Sequence, residues 1–224
     1  SNAGHVRVYQ LSSGSWTKIG NDIDGEAADD SSGYSVSLSS DGTILAVGAI
    51  YNDGTGSNAG HVRVYQWSGS SWGQLGSDID GEVAADESGS TVSLSSDGTI
   101  LAVGAFRNDG AGSDAGHARV YQFSSGSWTQ IGSDLDGEAA ADYNGYSVSL
   151  SSDGTILATG ARYNDGTGAE AGHVRVYQWS GGSWTQLGAD IDGEAAGDRS
   201  GVSLALSSGG TMLAVGARYN GGTG

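Results

Sequence analysis

The sequence predicts an all-β fold, a β-propeller of four-stranded antiparallel blades. Three observations predict it: a 56-residue unit that recurs four times in 224 residues, four short strand patterns in each unit, and no segment with a sustained helical period. The unit is read from Gly-His-Val-Arg-Val-Tyr-Gln, which begins at Gly4 and recurs at Gly60 and Gly172, with an Ala118 variant beginning at Gly116. His5, His61, His117 and His173 keep one spacing, and Gly222-Thr223-Gly224 matches Gly54-Thr55-Gly56. The chain therefore stops at the phase where it begins, as a ring cut in one loop does.

Within a unit the elements follow in order. Residues 34–38 alternate apolar and small polar side chains, the period of a half-buried strand. Ser39-Ser40-Asp41-Gly42 is a tight turn, with Asp-Gly as the hairpin signal. Residues 43–49 form the second strand, 61–67 the third and 72–75 the fourth; 51–60 is an Asn/Asp/Gly loop and 76–89 the linker to the next unit. Ala46 and Gly48 make one face of the second strand small, while Leu45 and Val47 make the other large. A sheet of this kind has two faces to bury, and radial stacking of large against small buries both.

The phase places complete blades at 33–76, 89–132 and 145–188, within a single propeller unit spanning 1–224. The fourth blade is split between 201–217 and 4–20, whose unpaired edges must be covered. Small Ala, Gly and Ser faces favour close sheets and a large ring, so either self-association of two chains into an eight-bladed ring or membership of a longer chain is expected; a closed four-bladed monomer is the alternative.

Composition narrows function. The chain has 26 acidic and 9 basic residues and a net charge of −17. Such a surface repels phosphate backbones and anionic lipids, so no nucleic-acid partner is expected. Without cysteine there is no disulfide framework or thiolate site. No apolar run of membrane-spanning length occurs, so no membrane insertion is expected.

The string Gly33-Tyr34-Ser35-Val36-Ser37-Leu38-Ser39-Ser40-Asp41-Gly42-Thr43-Ile44-Leu45-Ala46-Val47-Gly48-Ala49, followed by Gly60-His61-Val62-Arg63-Val64-Tyr65, resembles the FG-GAP repeat of integrin-like β-propellers, in its bacterial and algal form. The resemblance covers all four units and implies an extracellular or cell-surface location. The family's Phe before the first Gly is Ser32, Ser88, Asn144 and Ser200 here, and its Pro after Gly-Ala is Ile50, Phe106, Arg162 and Arg218. The calcium loop such repeats carry between the first two strands is reduced to a turn with one acid, Asp41, Asp97 or Asp153, and to Gly209 in the last unit. That calcium site is therefore not carried over.

The strongest acidic signal lies elsewhere. Asp22, Asp24 and Glu26 recur as Asp78, Asp80 and Glu82, as Asp134, Asp136 and Glu138, and as Asp190, Asp192 and Glu194. In an extended segment the two Asp share one face, which makes them candidate ligands for Ca²⁺; no cofactor is required. The plainer reading, preferred here, is a solvated turn whose Asp side chains bond local backbone N–H groups. Arg7, Arg63, Arg119 and Arg175 are expected to pair with acids of the same or the next blade, and Trp16, Trp72, Trp128 and Trp184 to pack between blades. The candidate ligand face is the long loop: Tyr51, Asn52, Asp53, Asn108, Asp109, Tyr163, Asn164, Asp165, Tyr219 and Asn220. Nothing in the sequence assembles an acid, a base and a nucleophile. The expectation is thus a non-enzymatic scaffold or protein-interaction module, with a multivalent, lectin-like glycan binder, Ca²⁺-dependent or not, as the alternative.

Overall fold

Three of the four units turn back on themselves at the same two-residue signal, Asp-Gly. Asp41 Oδ1 accepts from Ser39 Oγ (2.7 Å) and the Thr43 N–H (2.9 Å), while Ser39 Oγ accepts from the Ile44 N–H (2.9 Å). Gly42 follows at φ 72°, a conformation that glycine adopts without Cβ strain. The same bonds recur at Asp97 and Asp153.

The computed structural model describes residues 2–221. Ser1 and the Gly222-Thr223-Gly224 match lie outside the described residues. Among those described there is no helix. A hairpin of β1 (His5–Ser12) and β2 (Ser15–Asp24) comes first. The first larger sheet holds β3 (Ser35–Leu38), β4 (Ile44–Ala49), β5 (His61–Trp67), β6 (Trp72–Gln74) and β7 (Ile79–Asp80). The second holds β8 (Thr91–Leu94), β9 (Ile100–Ala105), β10 (His117–Ser124), β11 (Ser127–Gln130) and β12 (Leu135–Asp136). The third holds β13 (Ser147–Leu150), β14 (Ile156–Ala161), β15 (His173–Ser180), β16 (Ser183–Gln186) and β17 (Ile191–Asp192). A second hairpin, β18 (Ser200–Leu206) with β19 (Leu213–Ala217), ends the array.

Strand order in the larger sheets is sequential and antiparallel, as β3-β4-β5-β6. Each also has a short fifth strand that four strand patterns did not predict. β6 covers only Tyr65 to Trp67 of β5, so the edge at His61 and Val62 is taken by Asp80 and Ile79. Ile79 is buried there, which anchors the acidic segment against the sheet.

Sheets stack face to face. Ile44, Ala46, Val62, Val64 and Ile79 pack against Val92, Leu94, Leu101 and Val103 of the next sheet. Ile100, Ala102, Ala118, Val120 and Leu135 repeat this against Val148, Leu150 and Leu157. The contact requires glycine at Gly48, where a Cβ would lie 2.1 Å from Gly89 O. The first strands are joined through their turns: Ser40 N–H donates to Ser96 O (2.9 Å), Ser96 to Ser152 O (2.8 Å) and Ser152 to Ser208 O (2.8 Å). The result is an all-β, propeller-like array of small antiparallel sheets. Its two terminal hairpins belong to separate sheets.

Candidate functional site

The acidic segment, the start of the third strand and the preceding unit meet in one groove. In the second larger sheet Leu135 is buried opposite Ala118, which sets Asp136 opposite His117. His117 is buried, and Arg119 follows two residues on, on the same strand face. Arg119 Nε and Nη2 donate to Asp134 at 2.8 and 2.6 Å, and Arg119 also pairs with Glu82 of the preceding unit. Gln130 Nε2 donates to Asp134 Oδ1 at 2.7 Å. His117 Nδ1 stands 3.8 Å from Asp134 Oδ2 without a hydrogen-bond partner.

The next groove repeats this. Arg175 donates to Asp190 at 2.9 and 2.8 Å and pairs with Glu138; His173 Nδ1 lies 3.8 Å from Glu138 and 3.9 Å from Asp190. In the first groove His61 Nδ1 lies 3.8 Å from Asp78 and 3.9 Å from Asp80, while Arg63 pairs with Glu26 at 3.3 Å and donates to Asp24 O at 3.0 Å.

Burial, then the neighbouring arginine, holds His61, His117 and His173 below the ordinary imidazole value. These rings are therefore neutral near pH 7. Against the desolvation around it, the Arg119 and Gln130 bonds hold Asp134 below the usual carboxylate range; Arg175 does the same for Asp190. Asp136 moves the other way, raised by desolvation and by the charge of Asp134, and Asp80 is likewise raised by desolvation and Asp78.

The twelve acidic candidates are not brought together segment by segment. Each Glu joins the Asp of the following unit: Glu26 with Asp78, Glu82 with Asp134, Glu138 with Asp190. Among the described residues these three groups, each with its His, set ligand atoms within 4.8 Å of one another. Ca²⁺ takes six to eight oxygens. Two carboxylates, an imidazole and an adjoining guanidinium do not fit that ion; arginine is the cation that these acids hold. Asp22 is bonded by Arg7 and Lys18, and Glu194 accepts from Asn220 at 3.2 Å.

The loop candidates divide. Asn52, Asn108 and Asn164 are buried, and each Oδ1 accepts a backbone N–H two residues on, at 2.8 to 2.9 Å. Asp53, Asp109 and Asp165 each accept an N–H five residues on, at 2.7 to 2.8 Å. These side chains shape the loop, and Asn108 and Asn164 tie it to Glu82 and Glu138 at 3.4 Å. Tyr51 and Tyr219 are exposed, and Tyr163 packs at a tilt against Tyr143, ring centroids 5.0 Å apart, with Arg162 over its ring.

Two features escaped the sequence. Asp30, Asp86, Asp142 and Asp198 are buried and accept backbone N–H groups of the acidic segment, as Asp86 does from Glu82 and Val83, both at 3.1 Å. Their recurrence at the unit spacing was the available signal. A cavity of about 370 Å³ lies where the first strands converge, lined in part by Tyr34, Thr91, Phe106 and Tyr146. Gly69-Ser70-Ser71-Trp72-Gly73 has the spelling of a nucleophile elbow, but it runs from the β5–β6 turn into β6 instead of forming a strand-to-helix turn, and Ser71 bonds with Ser68.

The fold and its grooves define a propeller-like repeat protein. Residues 23–65 match the FG-GAP repeat. No curated protein matches it in sequence. In structure it is similar to a protein from Bacteroides uniformis described as a 6-phosphogluconolactonase, with TM-score 0.59 and 14% identity over 85% of this chain and 49% of that one. A Bacteroides fragilis protein of the same description gives 0.55 and 15% over 85% and 43%. Saccharomyces cerevisiae Sqt1 gives 0.51 and 15% over 77% and 39%. The chain spans about half the length, or less, of these structures. The expectation of a non-enzymatic scaffold or binding module, with its lectin-like alternative, is corrected by the first two: their fold is one that lactonases are built on. The physical reason is that titratable groups are gathered across units, where a motif search within one unit does not find them.

Proposed function

We propose that the chain is a propeller hydrolase acting on neutral sugar lactones, in grooves between adjacent four-stranded blades. The carrying observation is the divergence of Asp134 and Asp136: Arg119 keeps one carboxyl ionised, while desolvation and the first charge push the other up. Neighbouring carboxyls driven apart in this way leave one a fixed charge and the other able to take up and release a proton. Lactone opening needs a base to take a proton from water as it attacks the carbonyl carbon, and an acid to return a proton to the ring oxygen as the C–O bond breaks. Asp136 fills both roles in turn. Neutral His117 sits opposite it on the paired strand, and Arg119 supplies positive charge beside the developing oxyanion. The net charge of −17 favours an uncharged lactone over a phosphorylated one. The location implied by the FG-GAP resemblance, outside the cytoplasm, is part of this reading.

The test is a pH-stat assay of glucono-δ-lactone opening against the spontaneous rate. Replacing Asp80 and Asp136 together with Asn removes the raised carboxyl of two grooves, and a loss of about 10²-fold is expected. A rate equal to the spontaneous one across a panel of lactones, with the β-sheet circular dichroism intact, would overturn the proposal.

A further inference from the structure

Interior units and terminal hairpins expose different things, and the differences are complementary. Trp128 Nε1 donates to Leu75 O (2.9 Å) and Trp184 Nε1 to Ile131 O (3.1 Å) of the preceding unit. A Cβ on Gly76 or Gly132 would lie 2.8 or 2.7 Å from those same indoles. The corresponding Trp16 is 68% exposed, and the corresponding Gly188 has nothing within 4 Å. Ile44, Ile100 and Ile156 likewise seat on Gly98, Gly154 and Gly210. Their counterpart Met212 is 72% exposed, and Gly42, which would receive it, faces open space. Val36 and Leu38 are 53% and 48% exposed, whereas Val92, Leu94, Val148 and Leu150 at the same positions are buried. Each terminal hairpin thus presents a plug, and the larger sheet at the opposite end of the array presents its socket, Gly188 of the third sheet for Trp16 and Gly42 of the first for Met212.

We infer that these edges join head to tail between two copies of this chain, β19 of one pairing with β1 of the other. The register follows from the interior sheets, where Ala49 faces His61 and Leu45 faces Tyr65. It sets Ala217 opposite His5 and Leu213 opposite Tyr9. Ser208 N–H then continues the turn-to-turn bonds onto Ser40 O of the second copy. Two copies rather than one is argued by extent: one chain superposes on 49% of the lactonase-like structure, so two span it. Within the chain itself the two hairpins do not share a sheet.

The joint also completes a fourth groove. His5, Arg7 and Asp22 lie on one hairpin, and Glu194, the equivalent of Glu26, Glu82 and Glu138, precedes the other. Arg7 and Asp22 are already paired at 2.9 Å and lack only that Glu. The value of this fourth groove for catalysis rests on the proposed hydrolase reading; the pairing of edges does not.

The experiment uses the absence of cysteine in this chain. The double variant Tyr9→Cys with Leu213→Cys, oxidised at low concentration, is run on a non-reducing denaturing gel beside light scattering of the unaltered protein. A disulfide-linked species of twice the 22.4 kDa chain mass, with the same doubling in solution, is expected. Adding Trp16→Ser and Met212→Lys should abolish the doubling while β-sheet circular dichroism persists. A disulfide formed within single chains means a closed four-bladed monomer and overturns the inference, as does a 22.4 kDa particle or an open-ended ladder of masses. The readout is mass, so it fails or succeeds independently of lactone hydrolysis.

Discussion

His117 Nδ1 and Asp134 Oδ2 stand 3.8 Å apart, too far for a hydrogen bond, with the imidazole sealed from solvent and the carboxylate held instead by Arg119. The groups facing this ring are Arg119 on its own strand, Asp134 and Asp136 on the acidic segment, and Glu82 of the preceding unit. Burial dominates, so the folded state disfavours the imidazolium.

Stability therefore depends on pH in a definite direction. A histidine whose value is depressed on folding binds its proton more readily when unfolded. Its contribution is fully present above the ordinary imidazole range, near 6.5, and falls as pH drops through that range. His61 and His173 act in the same sense. Depressed Asp134 and Asp190 add a further loss at lower pH, below the usual carboxylate value, 3.8. Thermal unfolding is expected to be highest above pH 7 and to fall between pH 7 and 5. An unchanged midpoint across that window would contradict neutral buried imidazoles.

Arg119→Lys tests the fork. A lysine keeps the charge but cannot hold both Asp134 oxygens as the guanidinium does. Because Asp134 and Glu82 are partly exposed, the expected loss is modest, about 1–2 kcal/mol by urea unfolding. The acid-limb midpoint of the hydrolysis profile should also move, since Asp134 is no longer clamped and its charge, after desolvation, contributes to raising Asp136. Loss of stability without that movement would make Arg119 purely structural.

Gly104→Ala tests the sheet spacing. A Cβ there would lie 2.0 Å from Gly145 O, a backbone atom that cannot swing aside. The expected cost is about 3 kcal/mol, the upper range for overpacking. Gly73→Ala, where nothing lies within 4 Å, should leave the unfolding midpoint essentially unchanged. Equal effects at the two positions would deny the close stacking.

The contrast between these glycines marks what the sequence could reveal. Alternation in residues 34–38 and the Asp41-Gly42 turn announced the strands, because local period and turn chemistry act within a few residues. The small face at Ala46 and Gly48 announced stacking. The fifth strand was hidden because Ile79-Asp80 is too short for a period and pairs only with the edge that β6 leaves open. The groove was half hidden for a similar reason. His117, Arg119 and Asp134 lie within one unit, but Glu82 arrives from the previous one, across a contact that only the stacked structure creates.

The turn of the last unit carries the clearest gain of stability. In three units an Asp side chain accepts the Thr N–H two residues on, at 2.9 to 3.0 Å. The fourth has Gly209 in its place, with nothing within 4 Å and no positive φ that would strain a side chain. Thr211 and Ser207 are still there to meet it. Gly209→Asp should restore the turn bonds, each worth about 0.5–1.5 kcal/mol. It should also remove unfolded-chain freedom, worth about 0.4–1 kcal/mol. The expected net gain is about 1 kcal/mol in urea unfolding. Gly209→Ala supplies only the second effect and should gain less. If the two variants gain equally, the carboxylate contributes nothing to the turn, and Asp41, Asp97 and Asp153 lose the role assigned to them.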